Sequence, residues 1–163
     1  MSEFIGALLA TVTKPREAGV MDGVPTLSVL LVGSDAGFRA ALRDRLERDG
    51  ILVCGEAADA ACARRVAIEK HPDACVIADW PPFDAVAAAT MVGDAAEDVR
   101  IMLVGDDPSD SRLLEAVDAG ACGYLSDDST YASLTATLLD TAAGRSGFPR
   151  RLEALLIERL HGA

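Results

Sequence analysis

The chain has 163 residues, which suits one domain with a short appendage and is too short for two full domains. Half of the residues are hydrophobic, so a disordered chain is excluded and a sizeable core is expected. The net charge of −11 repels polyphosphate and anionic lipid, so we expect no nucleic-acid binding by this chain alone and no membrane association. No apolar run approaches the roughly 18 residues of a membrane span. The four cysteines form no CxxC pair, and the absence of zinc-ligand spacing predicts buried thiols in a reducing cytoplasm.

Residues 1–25 are predicted to be an N-terminal extension and linker. Apolar residues between Phe4 and Val12 have helical spacing, and Lys14-Pro15 would end such a helix. The following residues contain prolines and glycines and show no apolar period. Because Met21 stands just before the first predicted strand, both Met1 and Met21 remain open as the start of translation.

From Leu27 onward, buried-strand patterns alternate with helical patterns. Strands are predicted at 27–32, 51–56, 74–78, 100–105 and 122–125. Helices are predicted before Gly50, over 59–70, over roughly 84–92, from an Asp107 cap to Gly120, over 131–143 and over 149–160. This alternation predicts a doubly wound parallel α/β sheet over residues 26–145, followed by a C-terminal helix over 146–163.

The C-terminal helix carries a stripe of leucines, and two interpretations of it remain open. It is either a helix docked on the domain, which is the commoner case, or the seam of a dimer. The stripe consists of Leu152, Leu155, Leu156 and Leu160.

Ligands of such sheets bind beyond the carboxyl ends of the strands. The loop residues predicted there are acidic, include no Lys, Arg or His, and contain no glycine-rich phosphate loop, so nucleotide binding is disfavoured. Their carboxylates either hold a cation or cap the helices that follow, and we favour capping. These carboxylates are Asp35, Asp79, Asp106, Asp107 and Asp127.

Three segments of the chain resemble the receiver domain of bacterial response regulators. They begin VLLVGSDAGF, HPDACVIADW and RIMLVGDDPS and together extend over most of residues 27–144. The strings VCGEAADA and AGACGYL are most similar to receivers of the class that usually carries a helix-turn-helix output domain. The resemblance implies a flavodoxin-like fold with strand order 2-1-3-4-5. It also implies phosphoryl transfer from a histidine kinase to an aspartate with the help of Mg²⁺.

The acceptor aspartate of the family corresponds to Asp79, and the family's switch aromatic corresponds to Tyr124. Because Gly105 offers no hydroxyl for the ring to follow, we expect Tyr124 to be a packing residue and not a switch. Asp127 is expected to lie near Asp79, and repulsion between the two carboxylates is expected to raise one of their pKa values.

The other catalytic positions of the family are vestigial here. Its acidic pair corresponds to Gly33 and Ser34, while Asp35 follows one residue too late. Its hydroxyl residue corresponds to Gly105, and its lysine to Asp127, which reverses the charge. Only Asp35 and Asp79 would remain to hold a metal, so Mg²⁺ is disfavoured and we expect no cofactor.

We therefore expect an atypical, stand-alone receiver-like signalling domain in the cytoplasm. It is expected to be no enzyme and to act by protein–protein contact without conventional aspartate phosphorylation. The expected partner is a histidine kinase or another regulator, or a second copy in a homodimer. The binding face would be formed by the fourth helix, fifth strand and fifth helix.

Two alternative functions remain open. One is a working phosphoacceptor that uses Asp79. The other is a small-molecule-binding regulatory domain at the switch point of the sheet, where Gly33 and Gly105 leave room.

Overall fold

The structure is a computed structural model that describes residues 20–21, 24–25, 27–106, 108–126 and 130–162. Its strands are β1 (Val20–Met21), β2 (Val24–Pro25), β3 (Ser28–Val32), β4 (Leu52–Ala57), β5 (Ala74–Asp79), β6 (Arg100–Gly105) and β7 (Ala121–Ser126). Its helices are α1 (Ala36–Arg48), α2 (Ala60–Lys70), α3 (Ala85–Ala95), α4 (Asp110–Asp118), α5 (Thr130–Ala142) and α6 (Arg151–His161).

Strands β3 to β7 form one parallel sheet in the order β4-β3-β5-β6-β7. The predicted order 2-1-3-4-5 is therefore confirmed. The central strands β3, β5 and β6 are buried along nearly their whole length, which explains their continuous apolar runs.

Helices cover both faces of the sheet. On one face, Leu42 and Leu46 of α1 and Leu134 and Leu138 of α5 pack on the strands. On the other face, α2, α3 and α4 bury mainly alanines, and α6 adds Leu152. Small side chains let these helices approach the sheet closely. None of the helices in the described ranges has the length and apolar character needed to cross a membrane.

Three local predictions differ from the structure. Residues 20–25 were predicted to be linker, but β1 and β2 pair there as a two-residue antiparallel ladder. Helix α3 runs through Gly93 to Ala95, because burial of Val92 outweighs the low helix propensity of glycine. Helix α4 is capped by Ser109, two residues after the predicted cap, because the Ser109 hydroxyl accepts the backbone N–H of Arg112 at 3.1 Å. The predicted helix between Phe4 and Val12 lies outside the described residues.

The segment after α5 closes one edge of the sheet. The backbone N–H of Gly147 donates to the Cys122 carbonyl at 3.0 Å, and the N–H of Tyr124 donates to the Gly147 carbonyl at 3.1 Å. Helix α6 then packs on α4 and buries Leu152. The docked interpretation of the leucine stripe agrees with the structure. This segment also covers part of the face that the sequence analysis assigned to partner binding.

Candidate functional site

Asp79 is the last residue of β5 and pairs with Gly105 of β6 at the carboxyl edge of the sheet. Only 9% of its side chain is exposed to solvent. A carboxylate at this depth needs partners that replace the lost water. The structure supplies two, one from α4 and one from β7.

The first partner is Arg112, in the first turn of α4. Its Nε donates to Oδ2 of Asp79 at 3.0 Å and its Nη2 donates to Oδ1, so the ion pair is bidentate. Its Nη1 donates to Glu115 at 2.9 Å, which orients the guanidinium from the outer side. Fork-to-fork geometry of this kind is the strongest form of arginine–carboxylate contact.

Arg112 is not among the candidate site residues predicted from the sequence, because those residues directly follow the strands. The expectation that the site holds no Lys, Arg or His is therefore wrong. The sequence does contain a signal for this contact. Helix α4 begins just after β6, and β6 is paired with β5, which ends at Asp79, so an arginine in the first turn of α4 lies near Asp79. A second cation, Arg39 in the first turn of α1, donates to the Gly33 carbonyl and to Glu56.

The second partner of Asp79 is Tyr124, whose hydroxyl donates to Oδ2 at 2.5 Å. Gly105 makes this contact possible, because a Cβ at that position would collide with the Tyr124 hydroxyl and would lie 2.9 Å from the Asp79 carbonyl oxygen. Tyr124 packs in the core as expected, and its hydrogen bond to Asp79 is an additional role that was not expected. The room predicted beside Gly105 is filled by the same hydroxyl.

These contacts set the protonation of the site. Burial alone would raise the pKa of Asp79, but hydrogen bonds from Arg112 and Tyr124 and the charge of Arg112 hold that pKa below its ordinary value. The hydrogen bond to Asp79 raises the pKa of Arg112. Burial, with the bond to Asp79, raises the pKa of Tyr124. A raised pKa at Asp79 was one of the two expected outcomes and does not occur. Asp127, the partner assumed for that repulsion, lies outside the described residues.

The remaining vestigial positions lie at the start of α1. A Cβ on Gly33 would lie 2.9 Å from Cβ of Ala78, so the backbone is too close for a side chain there. Asp35 caps α1, because its Oδ1 accepts the backbone N–H groups of Gly37 at 2.9 Å and Phe38 at 3.3 Å. Its predicted capping role is thus present.

The described residues at this edge do not fit the Mg²⁺ that the family implies. Gly33 provides no side-chain ligand, Asp35 caps a helix, and Asp79 is engaged by a guanidinium. Across the described residues, no group of three His, Cys, Asp or Glu side chains is placed to hold a metal ion. Hard divalent cations need several oxygen ligands, and a paired carboxylate with a helix cap does not supply them.

A cleft opens beside the Asp79 site, between the start of α1 and the loop after β5. We call it the aromatic cleft. Its volume is about 190 Å³, and it is lined by Ser34, Asp35, Phe38, Ala78, Trp80 and Phe83. The rings of Phe38 and Trp80 meet edge to face with centroids 4.7 Å apart. The open space predicted at the switch point is thus found beside Ser34, and not at Gly105.

No family model matches the chain. The DNA-binding transcriptional activator DevR/DosR of Mycobacterium tuberculosis is 31% identical over 139 residues, which cover 84% of this chain and 64% of that protein. A two-component response regulator of the LuxR family from Aurantimonas has a TM-score of 0.72 at 28% identity, covering 83% of this chain and 99% of that one. The receiver domain of the response regulator NarL from M. tuberculosis gives 0.67 at 26% identity, covering 74% of this chain and 98% of that domain.

This chain therefore spans a little under two thirds of the length of the curated activator that it matches. The shared region is the one that contains the five-stranded sheet and its helices. The described part of the chain is accordingly a receiver domain of the response regulator family.

Proposed function

We propose that this chain is an atypical receiver that signals by protein–protein contact and does not use conventional phosphorylation of Asp79. One observation carries the proposal: both carboxylate oxygens of Asp79 are already engaged, Oδ1 by Arg112 and Oδ2 by Arg112 and Tyr124. An aspartate acts as a phosphoryl acceptor through one of these oxygens, so a donor competes with an internal ion pair.

The electrostatics of the site support the same conclusion. Phosphoryl transfer is accelerated by positive charge that stabilises the oxygens of the transferring group in the transition state. Here the guanidinium of Arg112 is engaged by Asp79 and Glu115, and the residues that the structure describes do not form a metal shell. Arg112 and Tyr124 together engage both carboxylate oxygens of Asp79. These contacts favour the ionised, paired form of the Asp79 carboxylate.

The experiment is incubation with acetyl phosphate and Mg²⁺, followed by intact mass spectrometry. We expect no phosphoryl adduct on the unmodified protein, and the same result for Asp79→Asn, which sets the background. Substantial labelling that disappears in Asp79→Asn would contradict the proposal and support the phosphoacceptor alternative.

The partner proposed is a protein, either a histidine kinase, another regulator or a second copy of the chain. Gly147 and α6 already cover the outer edge of β7 and part of α4, which leaves α5 as the open part of the predicted face. Leu139 on α5 is 53% exposed and lies on this surface.

Sedimentation velocity tests whether the chain forms a homodimer through this surface. Leu139→Ser is expected to lower the dimer fraction, whereas a monomer at all concentrations would exclude self-association.

A further inference from the structure

The aromatic cleft concentrates side chains that are scarce in this protein. The chain holds four phenylalanines, two tyrosines and one tryptophan, and three of these seven line the cleft. Phe38, Trp80 and Phe83 each pack against the core on one side and remain partly exposed on the other. Aromatic rings left at the wall of a concave site are the usual basis of small-ligand binding.

The charge at the aromatic cleft is negative and is carried by Asp35. Asp35 is the ionisable residue among those that line it. Its Oδ1 is used to cap α1, while its Oδ2 accepts none of the hydrogen bonds found among the described residues. The two nearby arginines are committed elsewhere, Arg39 to the Gly33 carbonyl and Glu56, and Arg112 to Asp79 and Glu115. An anion would meet the Asp35 carboxylate here, and none of the described residues that line the cleft is cationic.

Aromatic faces and a carboxylate together form the recognition chemistry for an organic cation. The ring quadrupole attracts a cation placed over its face, and tetraalkylammonium groups are weakly hydrated, so little water binding is lost. A volume of about 190 Å³ accommodates a group of this size but not a nucleotide.

We propose that the aromatic cleft binds a small organic ammonium group, with Trp80 and Phe83 contacting the cation and Asp35 supplying the opposite charge. Asp79 and Arg112 do not line the aromatic cleft, although Trp80 follows Asp79 in the chain and Phe83 also lines the opening beside Asp79 and Arg112. Ligand binding in the cleft and phosphorylation of Asp79 are therefore measured separately. A phosphorylated Asp79 would therefore not overturn this proposal, and an empty cleft would not overturn the proposed function.

Trp80 is the single tryptophan of the chain, so its fluorescence reports directly on the cleft. The intact protein is titrated with choline, with its uncharged isostere 3,3-dimethylbutan-1-ol, and with sodium chloride at equal ionic strength. We expect saturable quenching or a spectral shift with choline, and binding at least about five-fold weaker for the alcohol. Equal responses to choline and the alcohol, or a choline response that salt reproduces, would overturn the proposal.

Variants separate the charge from the ring. Asp35→Asn keeps a capping side chain and removes the charge, and Phe83→Leu keeps apolar volume and removes the ring. Each is expected to weaken choline binding at least about three-fold while the protein still melts cooperatively. Asp44→Asn, which removes a charge from an exposed site on α1, serves as the matched control and should bind as the unmodified protein does. Unchanged affinity in both cleft variants would refute the assignment.

The ammonium group has two natural sources, a free amine or a lysine side chain of a partner protein. Titration with Nα-acetyl-lysine methylamide beside choline distinguishes them. Tighter binding of the lysine derivative assigns the cleft to a protein partner, and tighter binding of choline assigns it to a free quaternary amine. Failure of both to bind would overturn the proposal.

Discussion

Arg112 and Asp79 form a largely buried ion pair whose two members depend on each other. The arginine side chain is 27% exposed and the aspartate 9%, so removal of the cation leaves a carboxylate with little access to water. We expect Arg112→Gln to destabilise the domain by about 1–3 kcal/mol in urea unfolding. Arg43→Gln breaks more exposed pairs, with Glu47 and Glu56, and should cost at most about 1 kcal/mol. Equal effects of the two substitutions would show that the Asp79 pair is structurally unimportant.

The lowered pKa of Asp79 predicts a specific dependence of stability on pH. An unfolded aspartate titrates near about 3.9, and in the folded protein Arg112 and Tyr124 hold the pKa lower. The ionised folded form is therefore favoured, so the contribution to stability is complete well above pH 4. It is lost as the pH falls through the folded pKa.

This dependence is measured as the difference in unfolding free energy between the unmodified protein and Asp79→Asn. We expect the advantage of the aspartate to be constant from about pH 6 to 8 and to shrink steadily below about pH 4. A difference that grows on acidification would mean that the folded pKa is raised and that the ion pair is not formed in solution.

Gly105 is required by the position of Tyr124. A methyl group there would collide with the tyrosine hydroxyl and crowd the Asp79 carbonyl oxygen at 2.9 Å. Gly105→Ala is expected to displace the ring, break its bond to Asp79 and cost about 1–3 kcal/mol. Tyr124→Phe isolates the hydrogen bond and should cost about 1 kcal/mol, with a rise in the pKa of Asp79. An alanine variant as stable as the parent, with an unchanged tyrosine environment, would contradict this assignment.

At the scale of elements, the C-terminal segment is attached through two glycines. A Cβ on Gly123 would lie 2.8 Å from Cα of Gly147, so no side chain fits between β7 and the segment beside it. Gly123→Ala is therefore expected to dislodge residues 146–148 and to cost about 1–3 kcal/mol.

Gly93→Ala is the control for that substitution. Gly93 lies within α3, where an added Cβ meets Ile101 at an ordinary 3.6 Å. Alanine gains helix propensity there and should be neutral or stabilising by up to about 1 kcal/mol. Limited proteolysis near residue 147 then distinguishes the two variants: increased cleavage is expected in Gly123→Ala alone.

The strands of the sheet were predictable because their short, continuous apolar runs are typical of strands that are buried on both faces. Val29 to Val32 and Cys75 to Ala78 are buried on both faces, and each run is bounded by turn or capping residues. Helix ends were less predictable where two possible N-cap residues lie close together in the sequence. Asp107 and Ser109 both suit an N-cap position, and the hydrogen bond of Ser109 decides between them.

The site was harder to predict than the fold, because its contacts join residues far apart in the chain. The altered family positions were visible in the sequence, but the consequence of Gly105 was misjudged. The absent side chain of Gly105 predicts open space, whereas the Tyr124 hydroxyl fills that space in the structure. Arg112 reaches Asp79 across 33 residues, a contact that depends on the rotation of α4 and not on any local pattern.

At the scale of the molecule, Asp79 is connected to the C-terminal helix through α4. Arg112 anchors the first turn of α4 to Asp79. The same helix holds α6 through Arg151, which contacts Asp110 at 3.5 Å and donates to the Pro108 carbonyl. Loss of the Arg112–Asp79 ion pair should therefore make the first turn of α4 more mobile and weaken the packing of α6 on α4.

Hydrogen exchange tests this connection in Asp79→Asn, compared with the unmodified protein at neutral pH. We expect faster exchange in α4 and in α6, which lies on α4, and unchanged exchange in α1 on the opposite face of the sheet. Leu152→Ala is the positive control, because loss of this buried side chain should cost about 2–4 kcal/mol and accelerate α6 directly. Faster exchange confined to α4 would show that the state of Asp79 is not transmitted to the C-terminal helix, which Arg159 also holds to Asp118 of α4.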